Sequence, residues 1–381
     1  MTHKIPYGRQ YVTEADKAAV LEVLDHDFLT QGPQVPAFEQ AFADYIGADY
    51  ASAVANGTAA LHLCAMALGV TRGTNVITSP ITFAASANCV RYCGGTVWFA
   101  DIDPETGLLD LDAVRRLIES KPKGFFSGII PVDFAGLAAD MEAFRKLADA
   151  HGLWLIEDSC HAPGGFFTDS EGKKQQCGNG AYADLAIFSF HPVKHIACGE
   201  GGMITTRRQD LYEKIQILRT HGITKDPDAL HENHGGWYYE MQDLGYNYRL
   251  SDIHAALGSS QLTRAAENLQ KRHAIARRYD AAFEGTSIRP LTPFSEGHAY
   301  HLYVVQVEER KAMYEHLREN GIFAQVHYVP VHRMPYYEKQ GFQSGDFPKA
   351  ERYYRHCLSL PMYPTLTEEE QQFVIDKMRE F

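Results

Sequence analysis

No CxxC pair occurs in this chain, although it contains seven cysteines. An odd number scattered through apolar segments argues against a disulfide framework and predicts free thiols in a reduced compartment. No apolar run approaches the roughly 20 residues of a membrane-spanning helix. The opening stretch Met1-Thr2-His3-Lys4-Ile5-Pro6 lacks the apolar core of an export signal, so a cytoplasmic protein is expected. Positive charge is also scarce: 36 Lys and Arg stand against 48 Asp and Glu, a formal net charge of −12. That balance disfavours a nucleic-acid or anionic-membrane surface and leaves room only for a local pocket that takes an anionic small molecule. There is no internal repeat and no low-complexity tract. What is present, 381 residues with 45% hydrophobic and 22% charged side chains, is globular material long enough for a large core and two domains.

Apolar runs and helical spacings alternate along the chain. Helices are expected over 13–26, with Thr13 as N-cap, over 36–47, over 59–68, over a segment carrying Cys89 and Cys93, over 112–119 and over 141–151. Strands are expected over 50–55, 75–78, 96–99, 128–132, 153–156 and 185–188. Towards the C-terminus, 251–279 reads as mainly one long helix, 301–307 as a strand, 311–320 as a helix stopped by Gly321, and 323–328 as a returning strand. Thr367 with Glu370 spells a capping box for the last helix. The stretch 222–239 has no periodicity and is too long for a passive connector, which suggests a lid or a dimer-facing loop.

Three strand ends carry candidate chemistry. The turn Asn56-Gly57-Thr58 leads from a small-residue strand into an apolar helix, an arrangement that cups phosphate, although Thr58 could equally be a simple helix cap. Asp158 ends a continuous apolar strand, where a carboxylate is costly to desolvate and needs a partner. Lys194 lies in a loop after the run 185–188, where a lysine shielded from water can act as an amine nucleophile, although most lysines are solvated surface charges. Pyridoxal phosphate matches all three at once, with an aldehyde for Lys194, a ring nitrogen for Asp158 and a phosphate for Gly57 and Thr58. Phe83 can then cover a ring face, His161 can reach the ring edge, and Ser189 can add a hydroxyl to the phosphate. His191, His195 and Cys198 are spaced closely enough to be weighed as zinc ligands, but no further cluster completes a site, and no metal is expected.

Four blocks, 157–162 (EDSCHA), 189–194 (SFHPVK), 200–202 (EGG) and 245–250 (GYNYRL), together resemble the signature of the DegT-like nucleotide-sugar aminotransferases, in the family's order over nearly the whole chain. The resemblance implies an α/β chain of pyridoxal-phosphate fold type I. Its large cofactor domain, a mostly parallel sheet between helices, would span residues 1–250, and a smaller α+β domain residues 251–381. It also implies Lys194 as the cofactor-bearing lysine, Asp158 on the ring nitrogen, His161 beside it, L-glutamate as amino donor, and a homodimer in which Asn247 reaches the neighbour's phosphate.

Within the family, Tyr7, the loop 28–32 (Phe28, Leu29, Thr30, Gln31 and Gly32), 132–136 and 324–330 resemble transaminases of pseudaminic acid formation. Those enzymes aminate C4 of a UDP-linked 4-keto-6-deoxy-N-acetylhexosamine. The likeness implies substrate contacts at Tyr7, Phe28 to Gln31, His327, Tyr328, Val329 and Pro330. Asp133, where many relatives have histidine, and Pro163-Gly164 depart from the common pattern. Another UDP- or dTDP-linked keto sugar, aminated at C3 or C4, is an alternative. So is a non-enzymatic pyridoxal-phosphate sensor or nucleotide-sugar binder. The resembling dehydratases carry histidine at the position of Lys194, which counts against that activity.

Overall fold

A computed structural model describes residues 4–25 and 28–381. Its centre is a seven-stranded sheet in the order Tyr50–Val54, Gly202–Thr206, Leu185–Ser189, Trp154–Asp158, Gly128–Ile130, Asn75–Thr78 and Thr96–Phe99. All neighbours are parallel except Gly202–Thr206, which runs antiparallel to both of its partners. A parallel sheet must be covered on both faces, and the strands read accordingly as continuous apolar runs. Alternate residues point to opposite layers. Ile156 and Ile187 pack with helices Gly57–Ala67 and Gln209–Leu218, Phe188 and Met203 with helix Gln34–Ile46, and Ile129 and Leu155 with helices Leu111–Glu119 and Met141–His151.

A second core gathers around the antiparallel strands Arg289–Pro290, Tyr303–Gln306 and Cys357–Leu360 and helices Ala265–Phe283, Arg310–Glu319 and Glu368–Glu380. The first described strand, Ile5–Pro6, pairs in parallel with Ile322–Phe323, and Ile5 is buried in this core. Thr13 caps its helix as expected, in a capping box completed by Asp16, and the expected box of Thr367 with Glu370 is present. All seven cysteines are free, and no described helix is long and apolar enough to cross a membrane.

Three local expectations are corrected. The span 251–279 is two helices, Asp252–Leu262 and Ala265–Phe283. The Thr263 hydroxyl donates to the Ser260 carbonyl (2.7 Å), and the Arg264 guanidinium reaches both that carbonyl and the buried Asp16, at 2.8 Å in the second case. Such side-chain competition for helix carbonyls breaks the run. The expected strand 323–328 pairs regularly only at Ile322–Phe323, because its partner is two residues long and ends in Pro6, which has no N–H to donate. Beyond it, Gln325 bridges Ser359, and the chain turns to deliver His327 and Tyr328 to the cavity described below. Finally, the helix begun at Gly57 is capped by Asn56, whose Oδ1 accepts from the Ala59 N–H at 2.8 Å, and not by Thr58.

Candidate active site

A cavity of about 830 Å³ opens at the strand ends where the second core meets the sheet, within the range expected for small-molecule sites. Gly57, Thr58, Phe83, Asp158, His161, Ser189, Lys194, Tyr7, His327 and Tyr328 all line it. Residues from six distant stretches of the sequence therefore converge on one volume. Phe28, Leu29, Thr30, Gln31, Asn247, Val329 and Pro330 are absent from the lining. The first five lie on the exposed surface.

The phosphate cup is set by backbone approach. Helix Gly57–Ala67 begins at the cavity wall, and with Asn56 serving as cap the Thr58 hydroxyl is left to the cavity. A Cβ on Gly57 would lie 3.0 Å from the Ser189 Cβ, and one on Gly202 would lie 2.6 Å from the carbonyl carbon and oxygen of Asn56. Only glycine lets the Ser189 and Gly202 strands close against this turn. Together they present free helix N–H groups, Thr58 and Ser189 at one point, a suitable seat for a phosphate.

Asp158 is 5% exposed. Its Oδ2 accepts from the Ser86 hydroxyl at 2.6 Å, Ser86 contacts the Thr82 hydroxyl at 2.8 Å, and Oδ1 accepts from the Cys160 N–H at 3.2 Å. The carboxylate is thus aimed by neutral hydroxyls and backbone, and its charge is left for a protonated ring nitrogen. Sequence reading missed Ser86 and Thr82. No local signal marked them, because Ser86 meets Asp158, 72 residues on, only in the folded chain.

His161 is fixed in one tautomer. The Ala135 N–H donates to its Nδ1 at 3.2 Å, so the neutral ring carries its proton on Nε2 and donates to the Tyr328 hydroxyl oxygen at 3.1 Å. The Tyr328 O–H therefore remains available to a ligand. Ala135 reaches His161 from a left-handed backbone conformation, φ 60°, which is strained for a residue with a side chain. Burial, reinforced by the nearby Lys194 charge, holds His161 well below the ordinary imidazole range, so the ring is neutral. Burial likewise lowers Lys194 from the ordinary lysine value, with Cys160 and Asp158 opposing the shift. Burial and the Asp158 charge push the Cys160 thiol up, which keeps it protonated. The residues weighed as metal ligands have separate roles: His191 is exposed, His195 Nε2 bonds the Ala299 carbonyl at 2.8 Å, and the Cys198 thiol donates to the Glu200 carbonyl at 3.4 Å.

A buried carboxylate held only by neutral donors, a desolvated lysine and a helix N-terminus that a side chain would obstruct fit the three polar ends of pyridoxal phosphate. Phe83, 61% exposed at the wall, supplies an uncovered ring for its face. The fold is that of a fold-type-I pyridoxal-phosphate enzyme.

Residues 10–379 match the DegT/DnrJ/EryC1/StrS aminotransferase family, and the chain belongs to it. It is an aminotransferase with pyridoxal phosphate as cofactor. The spore coat polysaccharide biosynthesis protein SpsC of Bacillus subtilis is 39% identical over 388 residues, 99% of this chain and 97% of that protein. Among solved structures, Helicobacter pylori PseC, an aminotransferase involved in the biosynthesis of pseudoaminic acid, superposes with TM-score 0.89 at 32% identity over 99% of both chains. The putative sugar aminotransferase Spr1654 of Streptococcus pneumoniae, in its PMP form, gives 0.90 at 29% identity over 99% of this chain and 98% of that one.

Proposed function

We propose that this enzyme moves an amino group from L-glutamate to C4 of a UDP-linked 4-keto-6-deoxy-N-acetylhexosamine, in the cytoplasm, for a pseudaminic-acid-type surface glycan. The observation that carries the reading is the convergence of a desolvated Lys194, a buried Asp158 and the Gly57–Thr58 cup on one cavity. The sugar assignment is supported by the overlap with PseC over 99% of both chains. It is supported further by Tyr7, His327 and Tyr328, which stand together on the wall, with the Tyr7 and His327 ring centroids 5.2 Å apart.

When bound, pyridoxal phosphate supplies an electron sink that lets the donor's α-proton leave. Asp158 keeps a positive charge on the ring nitrogen, aimed by Ser86. Lys194, its proton affinity reduced by burial, holds the cofactor at rest and, once displaced by the donor amine, carries the proton from the donor's α-carbon. Neutral His161 orients the Tyr328 hydroxyl towards the ligand, and Phe83 with Tyr328, ring centroids 6.3 Å apart, narrows the mouth. The uncharged sugar ring then occupies the same volume, and Lys194 returns the proton.

The site is completed by a second copy of the chain. The Phe28–Gln31 loop is pinned to the helix that follows Asn247: Thr30 bridges Ser251, and the Gly32 N–H donates to Asp252 at 2.9 Å. Loop and Asn247 thus share one outward surface that is poised to cover a neighbour's cavity. NMR of the product formed from glutamate and the UDP-4-keto sugar tests the reading. An amine at C4 is expected, whereas no amination of that sugar would refute it. The higher identity to SpsC favours one second reading, a different nucleotide-linked keto sugar, which the same assay resolves.

A further inference from the structure

Four imidazoles line the cavity and they are not equivalent: His191 is exposed, whereas the other three are buried. His161 has both nitrogens engaged, and the Nδ1 of His327 bonds the Ser359 hydroxyl at 2.9 Å. His301, absent from every motif above, also lines the cavity. It is 5% exposed, and its ring lies against His161 with centroids 4.3 Å apart. Its Nδ1 is sealed from solvent without a hydrogen-bond partner, and its ring bonds to none of the described residues. About nine in ten buried polar groups have a partner. The sealed Nδ1 is beyond a ligand's reach, so the nitrogen of this cavity-wall ring left for a ligand is Nε2, which bonds no described residue.

His301 and Lys194 line the same cavity, and the His301 ring lies 5.7 Å, centroid to centroid, from that of His195, the residue after Lys194. It is therefore beside the place where the amine is exchanged, and the donor's α-carboxylate is bonded to the carbon that bears that amine. A carboxylate entering a desolvated cavity needs N–H donors. Among the described residues, no arginine lines this cavity, and its lysine is Lys194.

We propose that His301 holds the α-carboxylate of the amino donor. The inference rests on the glutamate-to-keto-sugar reading above and explains why an imidazole serves better than a guanidinium. Both substrates use one volume in turn. A fixed guanidinium would pair well with the carboxylate but be left buried and unpaired when the neutral sugar arrives, at considerable cost. An imidazole is uncharged beside the sugar and presents an N–H, or takes up a proton, beside the carboxylate.

The test separates the half-reactions on the holoenzyme. Rates are read from the cofactor's visible absorbance, with glutamate bleaching it and the keto sugar restoring it. For His301→Leu, the ratio of donor to sugar rate constants (each as kcat/KM) should fall about 10- to 100-fold. The Kd for glutarate, a dicarboxylate with no amine, should rise by a similar factor. His301→Gln, which keeps an N–H donor, should recover much of both. An equal fall in the two half-reactions would indicate packing alone, and a selective fall with the sugar would indicate a contact to sugar oxygens. Either result overturns the proposal, as does unchanged behaviour. If glutamate fails to bleach even the wild-type enzyme, the donor named above is wrong. The glutarate titration then still decides, since equal affinity of wild type and His301→Leu overturns the role of His301.

Discussion

Asp158 and Asn247 both lie in blocks that carry the family resemblance, yet the chain treats them in opposite ways. Asp158 is buried, with Ser86 and the Cys160 N–H on its two oxygens. Asn247 is exposed, although its neighbours Tyr246 and Tyr248 tie the segment to Leu218, Arg219 and Ala55 through backbone hydrogen bonds. The contrast extends to their surroundings. The two oxygens of Asp158 are matched within one chain. Around Asn247 large apolar side chains face outwards: Phe28 and Leu29, 56% and 50% exposed, and across 237–244 Trp237 and Leu244, 75% and 69% exposed. One region is finished by its own fold. The other has the character of a surface awaiting cover, as expected where symmetric copies meet.

The largest effect should come from breaking the finished region. Lys194→Ala should lower turnover by more than about 10³-fold, because the cofactor anchor and the proton carrier are lost together. Sustained turnover by that variant would sink the assignment. Asp158→Asn should cost about 10²- to 10³-fold in kcat while the cofactor still binds, as measured by its absorbance. Ser86→Ala, which removes only the group that aims Asp158, should cost nearer tenfold in kcat with little change in KM. A loss as large as that of Asp158→Asn would mean that Ser86 does more than orient it.

The unfinished region gives a distinct signature. Lys194→Ala and Asn247→Ala should each be impaired alone, but if two copies share sites as proposed, an equimolar mixture refolded together should regain about a quarter of wild-type activity, because half of the pairs would carry one intact site. No recovery would place Asn247 outside its neighbour's site.

The smallest effect concerns pH. Asp133 and Glu157 are buried side by side behind the Asp158 strand, with Cys177 among the same atoms. Burial raises both carboxyls, Asp133 to about 6 and Glu157 well above the ordinary range. Because the folded pKa values exceed the unfolded ones, their contribution to stability is greatest in acid and is lost as pH rises through about 6 and beyond. Glu157→Gln keeps an oxygen for the Gly178 N–H, which donates to Glu157 at 3.0 Å. It should raise Tm by a few degrees at pH 8 and leave it unchanged near pH 4. Equal gains at both pH values would contradict the shared burial of the pair.

Much of the finished region was legible in the sequence, for a physical reason. Strands buried on both faces are uninterrupted apolar runs, so a charged residue at the end of one, such as Asp158, or in the loop beyond it, such as Lys194, is conspicuous. Helix ends were readable where a side chain does the capping, as at Thr13 and Thr367. What escaped was set by contacts between distant segments. Nothing local distinguishes Thr58 from Asn56 as the cap, and the break at Thr263-Arg264 depends in part on Asp16, almost 250 residues away. Ser86 gains meaning only when its helix is laid against the Asp158 strand. His301 begins an expected strand and looks like an ordinary core histidine until the missing partner of its ring is noticed.

One experiment bears most directly on the central claim that Lys194 and Asp158 run an amino transfer from glutamate to a nucleotide-linked keto sugar. The purified enzyme with pyridoxal phosphate is followed by absorbance through single turnovers, first with L-glutamate and then with the UDP-linked 4-keto-6-deoxy-N-acetylhexosamine. The visible band should bleach with the amino acid and return with the sugar, in wild type but not in Lys194→Ala. A band that ignores both substrates, or that cycles equally well without Lys194, would contradict the account.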